Sequence, residues 1–376
     1  MTMRELTYQV SFNTPAFLGN AEQQAQWRTP PFKAMIRQWW RVVKAPDVGY
    51  DYRRLLELEN ELFGSAGDDN GGGRSKVQLR LSGWDVGTLA DLPPLATHLH
   101  PDVKDRQTGQ LRPVGTGVYL GFGPVTTQGS RKAIAADGPA ITFKLRVPYT
   151  EAHTIQKTMQ LAAWFGTLGS RSRNAWGSLH IEGDGVLGWG ELCDSKLAEQ
   201  STLRSMADAL GDRLASDWPH AVGLCSDGRP AVWRVVAGST LKEGKTAYVG
   251  FDNWRSVMEQ LAALKIGFRT QFKLTSGAPH SQVEDRHVLA YPVTNHGLAG
   301  LPNARLASQM RFKVAKAKDG KYFGLITHLP CAMPHAFFGR SSIHPPEIND
   351  QIEVWTQVHQ FLNAQSPSLL NRIRRG

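Results

Sequence analysis

The sequence has few cysteines and no long apolar run. Cys193, Cys225 and Cys331 are its three cysteines, and none belongs to a CxxC pair, so neither a disulfide framework nor a cysteine zinc site is expected. No stretch approaches the roughly 18 consecutive apolar residues of a membrane span. The N-terminal MTMRELTYQVSF also lacks the apolar core of a secretory signal. We therefore expect no membrane partner and a cytoplasmic location.

Recognisable catalytic motifs are also missing. The glycine-rich segment 166–179 lacks the glycine, lysine and hydroxyl spacing of a P-loop. None of the twelve histidines falls in a catalytic motif, and His98 and His100 are assigned to a surface loop. Asp68 and Asp69 lie in a Gly-rich loop, where solvation is a better explanation than magnesium binding. We predict that the chain is not an enzyme and holds no cofactor and no metal.

Positive charge is what the sequence has in excess. Lys and Arg number 43 against 33 Asp and Glu, which gives a formal net charge of +10. The excess is spread over both halves rather than confined to a basic tail. A charge of this sign favours an anionic partner such as nucleic acid.

The length of 376 residues favours two domains. Helical and strand periodicities interleave along the chain, which predicts an α+β fold. The domain boundary is placed at about residue 190, giving domains 1–190 and 191–376. Helices are predicted over 31–43, 52–63, 151–165, 203–214, 254–264 and 352–363, and strands over 6–12, 77–81, 141–147, 311–314 and 322–327.

The first candidate site is a cation-rich helix. Between Gln24 and Asp47 the chain holds five cations and no acidic residue; they are Arg28, Lys33, Arg37, Arg41 and Lys44. Three of them recur every four residues, which places them on one helix face. Trp39 and Trp40 lie beside this row and either could stack on a base. The alternative is a solvated basic face over two core tryptophans.

The second candidate site is GTLGSRSRNAWGSL, residues 166–179. Its glycines permit close approach to a phosphate, and arginines supply planar, multidentate donors. The alternative is a structural hairpin with surface arginines. A further glycine-rich segment, GTGVYLGFGPV at 115–125, is better explained as a tight bend packed against a neighbouring element.

Several motifs together resemble a known family. TPAFLGNA at 14–21, R-x-P-x-x-K-x-x-x-R-x-W-W-R at 28–41, ELFGS at 61–65, YLGFGPV at 119–125 and the LGSRSRNAWGSL segment occur in one order. They resemble the first-subunit family of the type III-B (Cmr) CRISPR complex, within the repeat-associated mysterious protein (RAMP) superfamily. Asn20 and Ala175 depart from that pattern, because they stand where glycines are expected.

The resemblance implies two tandem ferredoxin-like (RRM-like) RAMP domains with Gly-rich loops. It implies a non-catalytic subunit that holds CRISPR RNA and its complementary target RNA near the end of the complex distal to the repeat tag, beside other Cmr subunits. The residues predicted to contact RNA are Arg28, Lys33, Arg37, Trp39, Trp40, Arg41, Lys44, Arg171, Arg173, Asn174 and Trp176. Two rivals remain, a metal-independent RAMP endoribonuclease that matures CRISPR RNA and a subunit that touches only neighbouring proteins.

Overall fold

Helices and strands alternate along the chain. The computed structural model describes residues 2–49, 51–65, 73–90, 92–189, 233–236, 238–242, 245–329, 332–339, 341–365 and 370–373. The helices of these ranges are α1 (Thr29–Lys44), α2 (Tyr52–Phe63), α3 (Thr116–Gly121), α4 (Ala152–Phe165), α5 (Trp254–Thr270), α6 (Asp285–Leu289), α7 (His335–Phe338) and α8 (Ile348–Asn363). The strands are β1 (Met3–Phe12), β2 (Gln78–Leu81), β3 (Thr97–Lys104), β4 (Leu111–Gly115), β5 (Val125–Thr126), β6 (Gly129–Ser130), β7 (Ile141–Pro148), β8 (Leu179–Gly183), β9 (Trp233–Val236), β10 (Gly238–Lys242), β11 (Lys245–Val249), β12 (Met310–Lys316), β13 (Tyr322–His328) and β14 (Leu370–Ile373).

Most of the predicted elements are present. Helix α2 has the predicted bounds, whereas α5 continues six residues beyond its predicted end at residue 264, to Thr270. Local capping explains two of the starts, because Asp51 accepts the amide hydrogen of Arg53 and Asn253 accepts that of Ser256. The predicted helix 203–214 and the boundary near residue 190 lie outside the described residues.

The segment around His98 and His100 differs from its prediction as a surface loop. It forms β3, which pairs with β4 in a two-stranded antiparallel sheet. His100 is buried there and its ring lies 5.6 Å from that of Tyr119. Pro101 obscured the strand in the sequence, although proline is tolerated where a strand lies at a sheet edge.

The first four-stranded sheet has the order β2-β7-β1-β8, and all of its pairs are antiparallel. Helix α1 lies between β1 and β2 along the chain, and α4 lies between β7 and β8. Leu6, Tyr8, Val10 and Phe12 alternate along β1 and are buried on one face of the sheet. They share a core with the apolar residues of α1 and α4.

The second four-stranded sheet has the order β12-β13-β9-β14, again wholly antiparallel. Helix α5 lies between β9 and β12, and α8 between β13 and β14. In both sheets the spatial order of the strands is therefore second, third, first, fourth. The predicted α+β class is confirmed. No helix within the described ranges is both long and apolar enough to cross a membrane.

Each half contributes side chains to the core of the other. Phe323 and Leu325 of β13 belong to the core that contains β1, α1 and α4. In return, Phe17 and Trp176 belong to the core built around α5 and α8. The two cores are thus interlocked, and removing either half would expose apolar surface on the other.

The outer edge of β12 is closed by the first half of the chain. The amide of Phe312 donates to the carbonyl of Arg173 at 2.9 Å, and the amide of Val314 donates to the Ser178 hydroxyl at 2.9 Å. The carbonyl of Val314 accepts from the Asn13 side chain at 3.1 Å. An edge strand otherwise leaves such groups unpaired. The segment 173–178 therefore has a fixed position against the second sheet.

Gly177 tests how tightly this segment is held. Its φ is +63°, and a Cβ at this position would overlap the carbonyl oxygen of Leu168. We expect Gly177→Ala to lower the free energy of unfolding by about 3 kcal/mol, because left-handed strain and steric overlap add. Gly109→Ala is the matched control, since Gly109 has φ +69° in open space and should lose about 1 kcal/mol. Equal losses in urea unfolding would contradict the close packing at Gly177.

Candidate nucleic-acid interface

Several cations of α1 are paired with carboxylates. Glu59 of α2 is buried between two of them: Arg37 Nε lies 2.5 Å from its Oε1, Arg41 Nη2 lies 2.6 Å from the same oxygen, and Arg41 Nε also contacts Oε2. Lys44 pairs with Asp47 at 3.1 Å. The repulsion expected for the row of cations is thus relieved inside the protein, by carboxylates that follow in the sequence.

The charge balance of this site is set by Glu59. Burial raises the pKa of this carboxyl, but hydrogen bonds from Arg41 and Arg37 outweigh burial and hold the pKa below its ordinary value. Glu59 therefore stays ionised and neutralises one of the two arginines. Lys33 lies one turn earlier, and partial burial together with the charge of Arg37 lowers its pKa.

The tryptophans beside these cations are core residues. Trp39 and Trp40 are each 1% exposed; Trp40 packs edge-on against Phe63, and Trp39 lies near Phe165. Stacking on a base requires an open ring face, so the prediction that these rings stack is corrected, and they pack behind the basic face. Apolar residues at helical spacing lie on the buried face of a helix, and Trp39 and Trp40 occupy such positions.

The Gly-rich segment presents one of its predicted residues to solvent. Arg171 is exposed, with φ +58°, and its Nε donates to the carbonyl of Phe122 at 2.6 Å. Arg173 instead donates to the carbonyl of Ser308 at 2.5 Å. Trp176 is 1% exposed, so base stacking is excluded for this ring as well. Ala175 has φ +69°, which explains why glycine suits this position.

Asn174 connects the Gly-rich segment to α5. Its amide nitrogen donates to the carbonyl of Leu120 at 2.7 Å, and its amide oxygen accepts from Lys265 Nζ at 2.6 Å. Lys265 is 9% exposed, and its ammonium lies 5.7 Å from the ring centroid of Tyr119. An uncharged amide is therefore the hydrogen-bond partner of a buried lysine, which is a poor substitute for a counter-ion.

Further cations surround Lys265. Arg269 follows one turn later on α5, and its Nε is buried with no hydrogen-bond partner in the described part of the chain. The side chain of Arg286 is 11% exposed, and its Nη1 donates to Asp102 at 2.6 Å. We call Arg171, Lys265, Arg269 and Arg286 the junction cluster, because the first residue comes from one half and the others from the other half.

The junction cluster is electrostatically unsatisfied. Burial, then the charges of Arg269 and Arg171, lower the pKa of Lys265 well below its ordinary value. Burial also lowers the pKa of Arg269, and Arg286 adds to this effect. Among the described residues neither Lys265 nor Arg269 pairs with a carboxylate. A bound anion would supply the missing charge, and a phosphate group suits the several N–H donors gathered here.

The α5 residues of this cluster were not among the predicted site residues, although the sequence carries a signal for them. Lys265, Arg269 and Lys273 recur every four residues, the spacing used to detect the cations of α1. The apolar context of α5 hid them, because Leu264, Ile266 and Phe268 surround them and made the segment resemble a core helix.

A metal centre does not emerge from the described residues, since no three His, Cys, Asp or Glu side chains group in a way that could hold an ion. In the sequence His328 lies near Cys331 and His335, but it is buried and hydrogen bonds to His359 at 2.8 Å and to Gln309 at 3.0 Å. Cys331 lies outside the described residues.

Comparison with known proteins gives similarity at the level of structure. No family model and no curated protein matches the sequence. Cmr1 from Pyrococcus furiosus in its apo form is 17% identical, with 100% of this chain and 99% of that chain covered and a TM-score of 0.46. A chain of the type III-B Cmr-beta complex bound to cognate target RNA is 10% identical, with 95% and 99% covered and a TM-score of 0.47.

A second Cmr-beta structure, bound to cognate target RNA and AMPPnP in the presence of ssDNA, is also 10% identical, with 94% and 98% covered and a TM-score of 0.46. The structural neighbours of this chain are Cmr1 and type III-B Cmr-beta complexes. At such identities and TM-scores these likenesses describe similarity alone, and the functional conclusion depends on the cations described above.

Replacing Glu59 tests the charge balance on α1. We expect Glu59→Gln to lower the free energy of unfolding at pH 7 by about 2 kcal/mol, less than for a fully buried pair because the arginines are partly exposed. A lowered pKa stabilises the fold above the unfolded-state pKa, and this stabilisation disappears as the pH falls through the folded-state pKa.

The difference in the free energy of unfolding between wild type and Glu59→Gln, measured with urea, should therefore become smaller below about pH 4. Glu57→Gln on the same helix is the control, because Glu57 is 63% exposed and its ion-pair partner is Arg54, and a change within about 0.5 kcal/mol is expected. A pH-independent loss in Glu59→Gln would contradict the ionised pairing.

Proposed function

We propose that this chain is a non-catalytic RNA-binding subunit of a type III-B (Cmr) CRISPR complex. The observation that carries the proposal is the junction cluster, in which Lys265 and Arg269 have no carboxylate partner among the described residues. In this role the chain holds CRISPR RNA, or target RNA paired to it, near the end distal to the repeat tag, beside other Cmr subunits in the cytoplasm. The order of motifs in the sequence supports the family assignment.

The architecture within this proposal is two tandem ferredoxin-like RAMP domains, divided near residue 190. Both four-stranded sheets support it, because each has the spatial strand order second, third, first, fourth and a helix in each crossover. That is the arrangement of a β-α-β-β-α-β unit. The junction cluster then lies where the two units meet, a frequent position for ligand sites.

Phosphate contacts explain how one protein serves many guides. Cations that meet phosphates fix the position of an RNA but carry no sequence information. A scaffold of this kind accepts guides of any sequence and leaves recognition of the target to base pairing. The cations of α1 extend the same role, with Glu59 holding Arg37 and Arg41 in place.

Arg269→Gln tests the proposal directly. Loss of one phosphate contact should weaken binding of labelled single-stranded RNA about tenfold and reduce the slope of log affinity against log salt by about one. Arg54→Gln is the matched control, since Arg54 is exposed on α2 and pairs with Glu57, and both quantities should stay unchanged. Fluorescence anisotropy in EDTA at several salt concentrations measures them.

The products of this assay distinguish the rivals. Intact RNA bound with a salt-sensitive affinity agrees with the scaffold role. Cleaved RNA in EDTA would instead identify a processing endoribonuclease. Absence of any RNA affinity in the wild type would favour a subunit that contacts only proteins and would overturn the proposal.

Lys265 gives the binding a predictable pH dependence. Its pKa is depressed in the free protein by burial, Arg269 and Arg171, and a phosphate in the junction cluster raises it by favouring the charged ammonium. Binding therefore takes up a proton at pH values between the free and bound pKa, and affinity falls as the pH rises through that window.

Titration calorimetry in two buffers of different ionisation enthalpy reveals this proton uptake as a difference in heat. We expect the difference to disappear in Lys265→Met, which keeps an unbranched side chain and removes the titrating group. Equal heats in both buffers at every pH measured would contradict the proton uptake by Lys265.

A further inference from the structure

Phe122 is an exposed aromatic residue at the edge of the junction cluster. Its side chain is 65% exposed, although the segment that carries it is otherwise closely packed. Its backbone carbonyl accepts the hydrogen bond from Arg171 Nε at 2.6 Å. The guanidinium group is thus bound to the backbone of the residue that carries the exposed ring. Isolated exposed apolar residues are ordinary, so the surroundings of the ring decide what it does.

The backbone just before Phe122 is held in place by two contacts. Asn174 donates to the carbonyl of Leu120 at 2.7 Å. A Cβ at Gly121 would lie 2.8 Å from Val125 Cγ2 and 2.9 Å from Trp176 Nε1, so this backbone approaches its neighbours as closely as glycine allows. The exposed ring is therefore presented by a fixed loop, and little conformational entropy is lost when something packs against it.

Arg171 is prepared for an anion beside this ring. It adopts φ +58°, a left-handed conformation that costs a non-glycine residue about 1 kcal/mol or more and is retained mostly at functional positions. With Nε engaged by Phe122, its terminal nitrogens have no hydrogen-bond partner among the described residues. They can meet a phosphate while the aromatic ring meets the base attached to it.

We propose that Phe122 is a base-stacking platform for single-stranded RNA, with Arg171 holding the adjoining phosphate. The inference rests on the proposed RNA-binding function and names a contact that no motif assigned. It also supplies the stacking residue that the buried tryptophans at 39, 40 and 176 do not. Stacking is indifferent to base identity, because every base has a π-face, and this agrees with a scaffold that accepts many sequences.

The chain offers a matched control in Tyr149. This residue is also 65% exposed, but it lies in the turn before α4 beside Glu151 and has no contact with the junction cluster among the described residues. Tyr149→Ala removes an equally exposed aromatic ring that lies outside the junction cluster. This variant distinguishes a specific effect of the Phe122 ring on RNA binding from a general effect of removing exposed apolar surface.

The test uses the purified full chain and oligouridine RNAs in which a single 2-aminopurine occupies successive positions. Stacking against Phe122 should quench the fluorescence of the probe at one or two positions. Phe122→Ala should abolish this quenching and weaken binding about tenfold. Phe122→Trp should retain the quenching and the wild-type affinity. Phe122→Leu keeps an apolar side chain without a π-system and should behave like the alanine variant.

Salt separates this contact from the phosphate contacts. Stacking releases no counter-ions, so Phe122→Ala should weaken binding by the same factor at every salt concentration and leave the salt slope unchanged. If the wild type binds RNA but Phe122→Ala and Tyr149→Ala bind it equally well, the stacking proposal is wrong and the RNA-binding function stands; the ring would then be free to pack against a protein. If the wild type binds no RNA at any salt concentration, both proposals fail together.

Discussion

The closure of the β12 edge is the interaction on which the rest of the structure depends. An edge strand needs partners for its outward amides and carbonyls, and here a loop and a strand end of the other half supply them. Because hydrogen bonds are directional, these contacts fix the position of the loop relative to β12. The position of Asn174, and through it of Lys265, follows from that constraint.

Lys313 illustrates the cost of this arrangement. It lies on β12 with 2% exposure, and its Nζ donates to the carbonyl of Ala163 at 2.5 Å, so burial lowers its pKa well below the ordinary value. Lys313 and Lys265 are both buried lysines at the contact between halves, but their environments differ. Lys313 is enclosed by apolar core residues, whereas Lys265 belongs to a group of cations. Lys313 donates to a single neutral acceptor, the Ala163 carbonyl, whereas the surroundings of Lys265 lack negative charge.

The two cation groups also differ in how the fold treats them. On α1 a buried carboxylate neutralises part of the charge and orients Arg37 and Arg41. At the junction cluster, Asp102 is shared between Arg286 and Lys273, and hydrogen bonds from both cations hold its pKa low in spite of burial. An unpaired charge in a partly desolvated site raises the free energy of the unbound protein. A ligand of opposite charge lowers that free energy when it binds.

Local periodicity was sufficient to predict α1, α2 and α5, but not β3 and α6, which carry Asp102 and Arg286. It predicted α2 to the residue and β7 to within one residue, because alternation and helical spacing are local properties of the chain. It did not separate Trp39 and Trp40 as core residues from exposed stacking partners, since a tryptophan beside a cation row is compatible with either face. Glu59 and Asn174 became meaningful only through contacts across the fold, which no window of sequence contains.

The junction cluster also sets an order of events during synthesis. When the first half has left the ribosome, Arg171 is present but Lys265, Arg269 and Arg286 are not yet made, and the loop beside Arg171 has no β12 to bind. Domains emerge and fold from the N-terminus. Under the proposed function, a nascent chain therefore reaches its full affinity for RNA only after the second half has folded against the first. Until then the cations of α1 and Arg171, all in the first half, act on an RNA without the buried cations of α5.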